Sequence, residues 1–268
     1  VAAGIVVVGN VQFYWLPIPG APGTSTFGLE GSQAALLTLV VIVATVNAVN
    51  FVDGLDGLAA GVVGIGAVAF FGYAYIIAAA NDLERNTPAA LLTAALIGVC
   101  LGVLPHNFYP ARMFMGDSGA LLIGFVLACA AITFTGKYDV TSVNQGVGGA
   151  SASVAPALLP LILPVAILVV PLLDMVLAVV RRTRAGRSPF APDKQHLHHR
   201  LLEIGHSHRR AVLLMYLWAS LVAFGAVLVS LFTGWQSVAG LALMVLVAAA
   251  LTFGLPGGRR PMQERTSL

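Results

Sequence analysis

Asn47-Ala48-Val49-Asn50-Phe51-Val52-Asp53-Gly54-Leu55-Asp56-Gly57 is the stretch on which the fold turns. It stands between two apolar runs, Gln33–Asn47 and Leu58–Ala80, in a chain that is 58% hydrophobic and 9% charged. A soluble domain carries about 25% charged residues. These proportions describe an integral membrane protein, and 268 residues leave no room for a separate soluble domain. Lipid cannot satisfy backbone polar groups, so the apolar runs must be helices or the strands of a closed barrel. They lack the period-two alternation of barrel strands, and helices follow. Two carboxylates three residues apart are costly near a bilayer, about 2.5–3.5 kcal/mol each at a span centre. The stretch therefore reads as the lip of a site at the membrane surface, with glycines that let the backbone turn and approach a ligand.

Working outward, eight apolar runs could each span a bilayer: Val1–Leu16, Gln33–Asn47, Leu58–Ala80, Ala90–Leu104, Gly119–Thr135, Ala155–Val180, Ala211–Phe232 and Ser237–Leu255. A helical span needs about 20 residues, so the second and fourth runs are expected to extend into their flanks. The expected fold is all-α, a polytopic transmembrane helical bundle of about eight spans over residues 1–255, with a polar tail at 256–268. Pro156, Pro160, Pro164 and Pro171 predict kinks or a later start in the sixth run. Cys100 and Cys129 fall inside apolar runs and read as small buried residues, not as a disulfide or a zinc pair. The chain opens on Val1 with no basic n-region, which is not a signal peptide; its numbering is expected to start inside a longer protein.

Charge orients the bundle. Eight of the fourteen Lys and Arg lie between Arg181 and Arg210, which places that segment in the cytoplasm. Alternate counting puts the loops after the second and fourth runs there too, along with the tail bearing Arg259, Arg260 and Arg265. The opposite loops hold only Arg85 and Lys137 among basic residues. Asp53/Asp56, His106–Asp117 and Arg181–Arg210 thus share one side, although nothing in the count required it.

Three constellations on that side could carry chemistry. Asp53 and Asp56 supply hard oxygen ligands for Mg²⁺ or a polar substrate group, or merely cap the start of the third span. Asp117, between Gly116 and Gly119 at the start of a span, suits a phosphate or a metal–phosphate pair; Asp117 or Ser118 as a simple N-cap is the plainer alternative. Phe114 could stack on a base or pack in the interface. The third constellation, Asp193 to Arg210, holds five of the six histidines. It reads as an anion clamp or as a zinc site; no cysteine accompanies the histidines, which favours the clamp. Positive-inside bias alone would explain its arginines. Asp174, two turns inside the sixth run, either pairs with a basic residue or lines the same cavity. Together these are the parts for phosphoryl chemistry on a nucleotide-linked donor, in which metal and cations neutralise developing charge. No P-loop, G-x-G-x-x-G or hydrolase triad is present. A transporter or channel is the competing class, but it should place its key acids near midplane on broken helices.

The same residues resemble the polyprenyl-phosphate N-acetylhexosamine-1-phosphate transferases. Asn47–Gly61 resembles that family's Asp-Gly-x-Asp-Gly motif, Phe114-Met115-Gly116-Asp117-Ser118-Gly119 its Phe-Met-Gly-Asp motif, and His196-Leu197-His198-His199 its His-x-His-His motif. The likeness runs from Val1 to about Leu255. His-Leu-His-His-Arg in place of three consecutive histidines followed by Phe-Glu is similar to the branch that uses UDP-N-acetylglucosamine. Ser188–Lys194 and Gly205–Arg209 look most like its actinobacterial members, which act on decaprenyl phosphate and start the linker between arabinogalactan and peptidoglycan. The resemblance implies a reaction: polyprenyl phosphate attacks the β-phosphorus of UDP-N-acetylglucosamine, and UMP leaves. It implies Mg²⁺, with Mn²⁺ as a substitute, held by Asp117 with Asp56 close to the metal or the uridine. Asp53 and Asn107 would contact the nucleotide or pyrophosphate, with Asn50 and Leu55 of the first motif also in the substrate-binding set. Phe114 would stack on uracil, and His196, His198 and His199, assisted by Arg200, would hold the pyrophosphate. The expected setting is the inner membrane, multi-pass, with the active site facing the cytoplasm. The lipid bilayer is a partner, a homodimer is left open, and no nucleic acid is expected.

One departure matters. The family has an adjacent aspartate pair ahead of the span that matches Val1–Leu16, and no aspartate precedes Asp53 here. Residues 1–268 alone are therefore expected to be catalytically incompetent; a transferase assay on membranes containing only them should show no turnover.

Overall fold

Each helix begins and ends where the local sequence supplies or withholds backbone partners. The protein is seen in a computed structural model that describes residues 11–17, 26–80, 88–137, 207–232 and 235–254, with isolated positions 4, 9, 180, 183, 184 and 186. These residues form β1 (Trp15–Pro17), β2 (Thr26–Gly28), α1 (Gly31–Val52), α2 (Leu58–Ala80), α3 (Pro88–Asn107), α4 (Gly116–Lys137), α5 (His208–Leu231) and α6 (Trp235–Gly254). The architecture is the all-α polytopic bundle expected. Among the described residues five helices, α1 to α5, are long and apolar enough to cross a membrane, while α6 carries a shorter apolar stretch, Ala239–Ala250. The sixth apolar run lies outside the described residues apart from Val180.

The two short runs do extend. α1 starts at Gly31, where the Glu30 N–H donates to Gln33 Oε1 at 3.2 Å, one half of a capping box. It runs on past Asn47, whose Nδ2 donates to the Val43 carbonyl one turn back at 2.7 Å. α3 opens on Pro88, where a missing N–H costs nothing, and continues through Pro105 to Asn107. These extensions place Asn50 and Asn107 on the last turns of helices and not in loops. The first run requires a correction: its end at Trp15 and Leu16 is strand, paired antiparallel with Phe27 and Gly28. Proline disfavours helical backbone in the residue before it, and Pro17 follows Leu16 directly. The Phe13 N–H, just ahead of the hairpin, donates to Thr38 Oγ1 of α1 at 3.1 Å.

α2 lies at the centre, packed against α3, α5, α4 and α1, while α1 also lies along α4 and α6 along α5. Its glycine- and alanine-rich sequence permits this, since small residues let helix backbones approach where lipid gives no hydrophobic drive for association. Three of the largest buried side chains, Phe70, Tyr73 and Phe134, meet between α2 and α4, with Phe134 5.5 Å from Tyr73 and 5.8 Å from Phe70 between ring centroids. Three threonines in the spans are satisfied locally: Thr93, Thr133 and Thr135 each donate to a carbonyl three or four residues earlier. The α1–α4 contact depends on Gly124, where a Cβ would stand 3.0 Å from Val46 Cα and 3.1 Å from Val49 Cβ. The first of these atoms is backbone and cannot swing away. Gly124→Val should therefore destabilise the bundle by about 1–3 kcal/mol, read as a lowered Tm in detergent, whereas Gly72→Ala, which meets nothing within 4 Å, should not.

Candidate active site

The connection between α1 and α2 is a five-residue turn, residues 53–57, fixed almost atom by atom. Asp53 closes α1, its N–H donating to the Asn50 carbonyl at 3.2 Å. Asp53 thus ends a helix, and neither it nor Asp56 is the first residue of the next. Gly57 has φ +80°, a left-handed backbone that disfavours side chains. Its N–H donates to Asn107 Oδ1 at 3.0 Å. Its carbonyl accepts from both the Gly61 N–H and the Tyr216 hydroxyl of α5. Leu55 is half-buried and packs against the core.

The connection between α3 and α4 comes to the same place. Its backbone folds onto His106, whose carbonyl accepts from the Arg112 and Met113 N–H groups at 2.8 and 3.1 Å. Asn107 is 2% exposed, and its Nδ2 donates to the Met113 carbonyl at 2.9 Å. Asp56 Oδ2 accepts from the Ala111 N–H at 3.1 Å. One asparagine and one aspartate thereby staple the two connections together. Asn107 was expected to contact substrate; its amide instead bonds within the protein from a buried position. One Asp56 oxygen is likewise committed to Ala111. Asp117 stands exposed in the first turn of α4, at the favourable end of the helix dipole for an acid. Phe114 is 76% exposed, its ring unpacked from the core.

The N-terminus of α5 is the third arrival. Ser207 caps it, accepting from the Arg210 N–H. Arg209 Nε donates to the Tyr109 carbonyl at 3.0 Å, and the His208 ring stacks on Tyr109 at 4.4 Å. The acidic turn, the 108–115 connection and the start of α5 therefore converge at one end of the bundle. His196, His198, His199 and Arg200, like Asp174, lie outside the described residues.

The acids are set against each other. Burial first, and the Asp117 carboxylate second, push the Asp53 carboxyl up to about 6. The pair that interacts is thus Asp53 with Asp117. A half-buried carboxylate and an exposed one that repel beside a helix N-terminus suit a divalent cation together with a phosphate. Asp56 and Asp117 were the metal ligands expected from the motifs; Asp53 also feels the Asp117 charge. Among the described residues no cluster of three metal-ligating side chains occurs.

The sequence profile of "Glycosyl transferase family 4" matches residues 1–135, half of the chain and all of the acidic turn and Asp117. The chain belongs to that family. Over 261 residues it is 47% identical to the decaprenyl-phosphate N-acetylglucosaminephosphotransferase of Mycobacterium tuberculosis, covering 97% of this chain and 62% of the relative. It is 51% identical over 165 residues to the protein of the same name from Mycolicibacterium smegmatis, covering 62% of this chain and 39% of the relative. A probable undecaprenyl-phosphate N-acetylglucosaminyl 1-phosphate transferase of Bacillus subtilis is 34% identical over 146 residues, 54% of this chain and 36% of the relative. The chain thus spans less than two thirds of the length of these relatives.

For this family 4 chain, sequence reasoning missed Tyr216; it had His208 and Arg209 in the third constellation and Tyr109 in the second, but not the contacts between them. A lone tyrosine within the run Ala211–Phe232 was the available signal, because a buried hydroxyl needs a partner. The raised Asp53 carboxyl has a consequence for stability. The folded protein keeps a proton up to about 6 that the unfolded chain releases near 3.8, so this group's contribution to stability falls as pH rises across that interval. Asp53→Asn removes the loss. The difference in Tm between variant and wild type, in metal-free detergent, should grow in the variant's favour through the interval and level off above it.

Proposed function

We propose that the protein is a membrane phosphotransferase that moves N-acetylglucosamine 1-phosphate from UDP-N-acetylglucosamine to a polyprenyl phosphate, releasing UMP. The observation that carries this reading is the convergence of the acidic turn, the start of α4 and the start of α5 at one end of a membrane bundle. The names of the relatives supply the donor and the acceptor class, with decaprenyl phosphate named for the mycobacterial proteins. Their shared N-acetylglucosamine favours that sugar over another N-acetylhexosamine. The concentration of Lys and Arg between Arg181 and Arg210 supports a site on the cytoplasmic face.

In the proposed reaction a phosphate oxygen of the lipid attacks the β-phosphorus, and the bond from that phosphorus to the bridging oxygen breaks. The bridging oxygen leaves with UMP. Asp117 and Asp53 would hold Mg²⁺, with Asp56 beside them fixed to the 108–115 connection; the ion, when bound, would neutralise charge on the diphosphate. The backbone N–H groups at the start of α4 would meet the phosphate end of the donor. Phe114, unpacked and three residues before Asp117, would cover the uracil ring. The histidines His196, His198 and His199, with Arg200, would close on the pyrophosphate from the segment that leads into α5. The transporter reading has less support: among the described residues Asp53, Asp56 and Asp117 all stand at helix ends, not at midspan.

The test is UMP release by the full-length protein in membranes, against a panel of UDP-sugars, with and without Mg²⁺. UDP-N-acetylglucosamine should be the preferred donor. Asp117→Asn should lower Mg²⁺-dependent release by about 100-fold or more at unchanged expression. Unchanged release in that variant would count against the metal assignment.

A further inference from the structure

α5 crosses the bundle on one face of α2, and residues two turns apart on it reach both connections of the site. At its start, Arg209 Nε holds the Tyr109 carbonyl at 3.0 Å and the His208 ring lies on Tyr109. Two turns further in, the Tyr216 hydroxyl holds the Gly57 carbonyl. The bed for the Tyr216 ring is made by missing side chains. A Cβ on Gly61 would stand 2.0 Å from Tyr216 Cζ, and one on Gly57 would stand 3.3 Å from Tyr216 Oη and 3.1 Å from Phe108. Gly57, just before α2, and Gly61 on its first turn are one turn apart, so together they form a flat place that an aromatic ring fills.

The consequence falls on the acids. The Gly57 peptide is tied through its N–H to Asn107 and through its carbonyl to Tyr216, and Asp56 immediately before it is tied to Ala111. The turn that carries Asp53 and Asp56 is therefore anchored to α3, to the 108–115 connection and to α5. Of these anchors only Tyr216 comes from the helix that follows the histidine-bearing segment in the chain. We infer that Tyr216 is a positioning residue: its hydroxyl fixes the Asp53–Asp56 turn relative to α5. This role rests on the transferase reading, and it assigns to an apolar span a residue that reaches neither substrate nor metal.

The experiment compares wild type, Tyr216→Phe and Trp218→Phe in the full-length protein. Tyr216→Phe keeps the ring in its bed and removes only the donor. Trp218→Phe removes a different α5 hydrogen bond, Trp218 Nε1 to Thr252 Oγ1 at 3.1 Å, which ties α5 to α6 away from the site. Two readouts are taken per folded molecule: kcat and KM for UMP release against Mg²⁺ concentration, and the rise of Tm on adding Mg²⁺ without substrates. Tyr216→Phe should lower kcat and raise the Mg²⁺ concentration for half effect by ~5-fold in both readouts, with KM for polyprenyl phosphate unchanged. Trp218→Phe should lower Tm and leave both Mg²⁺ dependences alone. Gly61→Ala, which lifts the ring from its bed, should reproduce the Tyr216→Phe shift. Wild-type Mg²⁺ dependence in Tyr216→Phe would overturn the inference, as would equal shifts in Tyr216→Phe and Trp218→Phe, which would mean general loosening of α5. If wild type releases no UMP from any UDP-sugar but keeps its Mg²⁺-dependent Tm rise, the transferase reading fails and the thermal readout still decides the role of Tyr216. A wild type with no such rise overturns it.

Discussion

The peptide of Gly57 has no freedom left, and much of the site depends on that. A turn between two membrane helices exposes carbonyls and N–H groups that the helices themselves cannot satisfy, and near lipid each unmet group is expensive. Here Asn107 of α3 and Tyr216 of α5 satisfy the Gly57 peptide, while the Ala111 N–H of the next connection donates to the Asp56 carboxylate. The same bonds that satisfy the backbone also locate the carboxylates. Solvation of the turn and placement of the acids are one structural solution.

That economy explains which parts could be read from residues alone. The helical spans were legible because 58% hydrophobicity with almost no interior charge admits little else. The shared side of the three polar connections was legible from the basic segment 181–210 and simple alternation. Glycine at 57 was legible as a turn. The roles of Asn107 and Asp56 were not: both look like ligand groups in a motif, and only their neighbours show that Asn107 bridges Gly57 and Met113 while Asp56 holds Ala111. Tyr216 was invisible for the same reason, as its partner lies 159 residues away along the chain. Local pattern identifies which side chains are polar, but tertiary adjacency decides which of them remain available to a ligand. The strand at Trp15–Pro17 failed differently. There apolar composition argued for a span while proline set the backbone, and the backbone constraint won.

The arrangement also carries a built-in disadvantage. Asp53 is half-buried and faces a second carboxylate, so the folded protein favours keeping a proton that water would remove. A scaffold selected only for stability would not hold Asp53 and Asp117 within electrostatic reach of each other. Functional sites commonly carry such local conflicts, offset by interactions elsewhere. The offset is visible: the acidic turn has three separate hydrogen-bonded anchors, and α4, which presents Asp117, is locked to α1 at Gly124 with no room for a methyl group. The repulsion is thus held in place by packing and not relieved by movement. A cation entering between the two acids would meet carboxylates already positioned, and the repulsion it removes would add to the driving force for binding. On the proposed reading the anchors Asn107, Asp56 and Tyr216 would hold the acidic turn in place for a divalent cation.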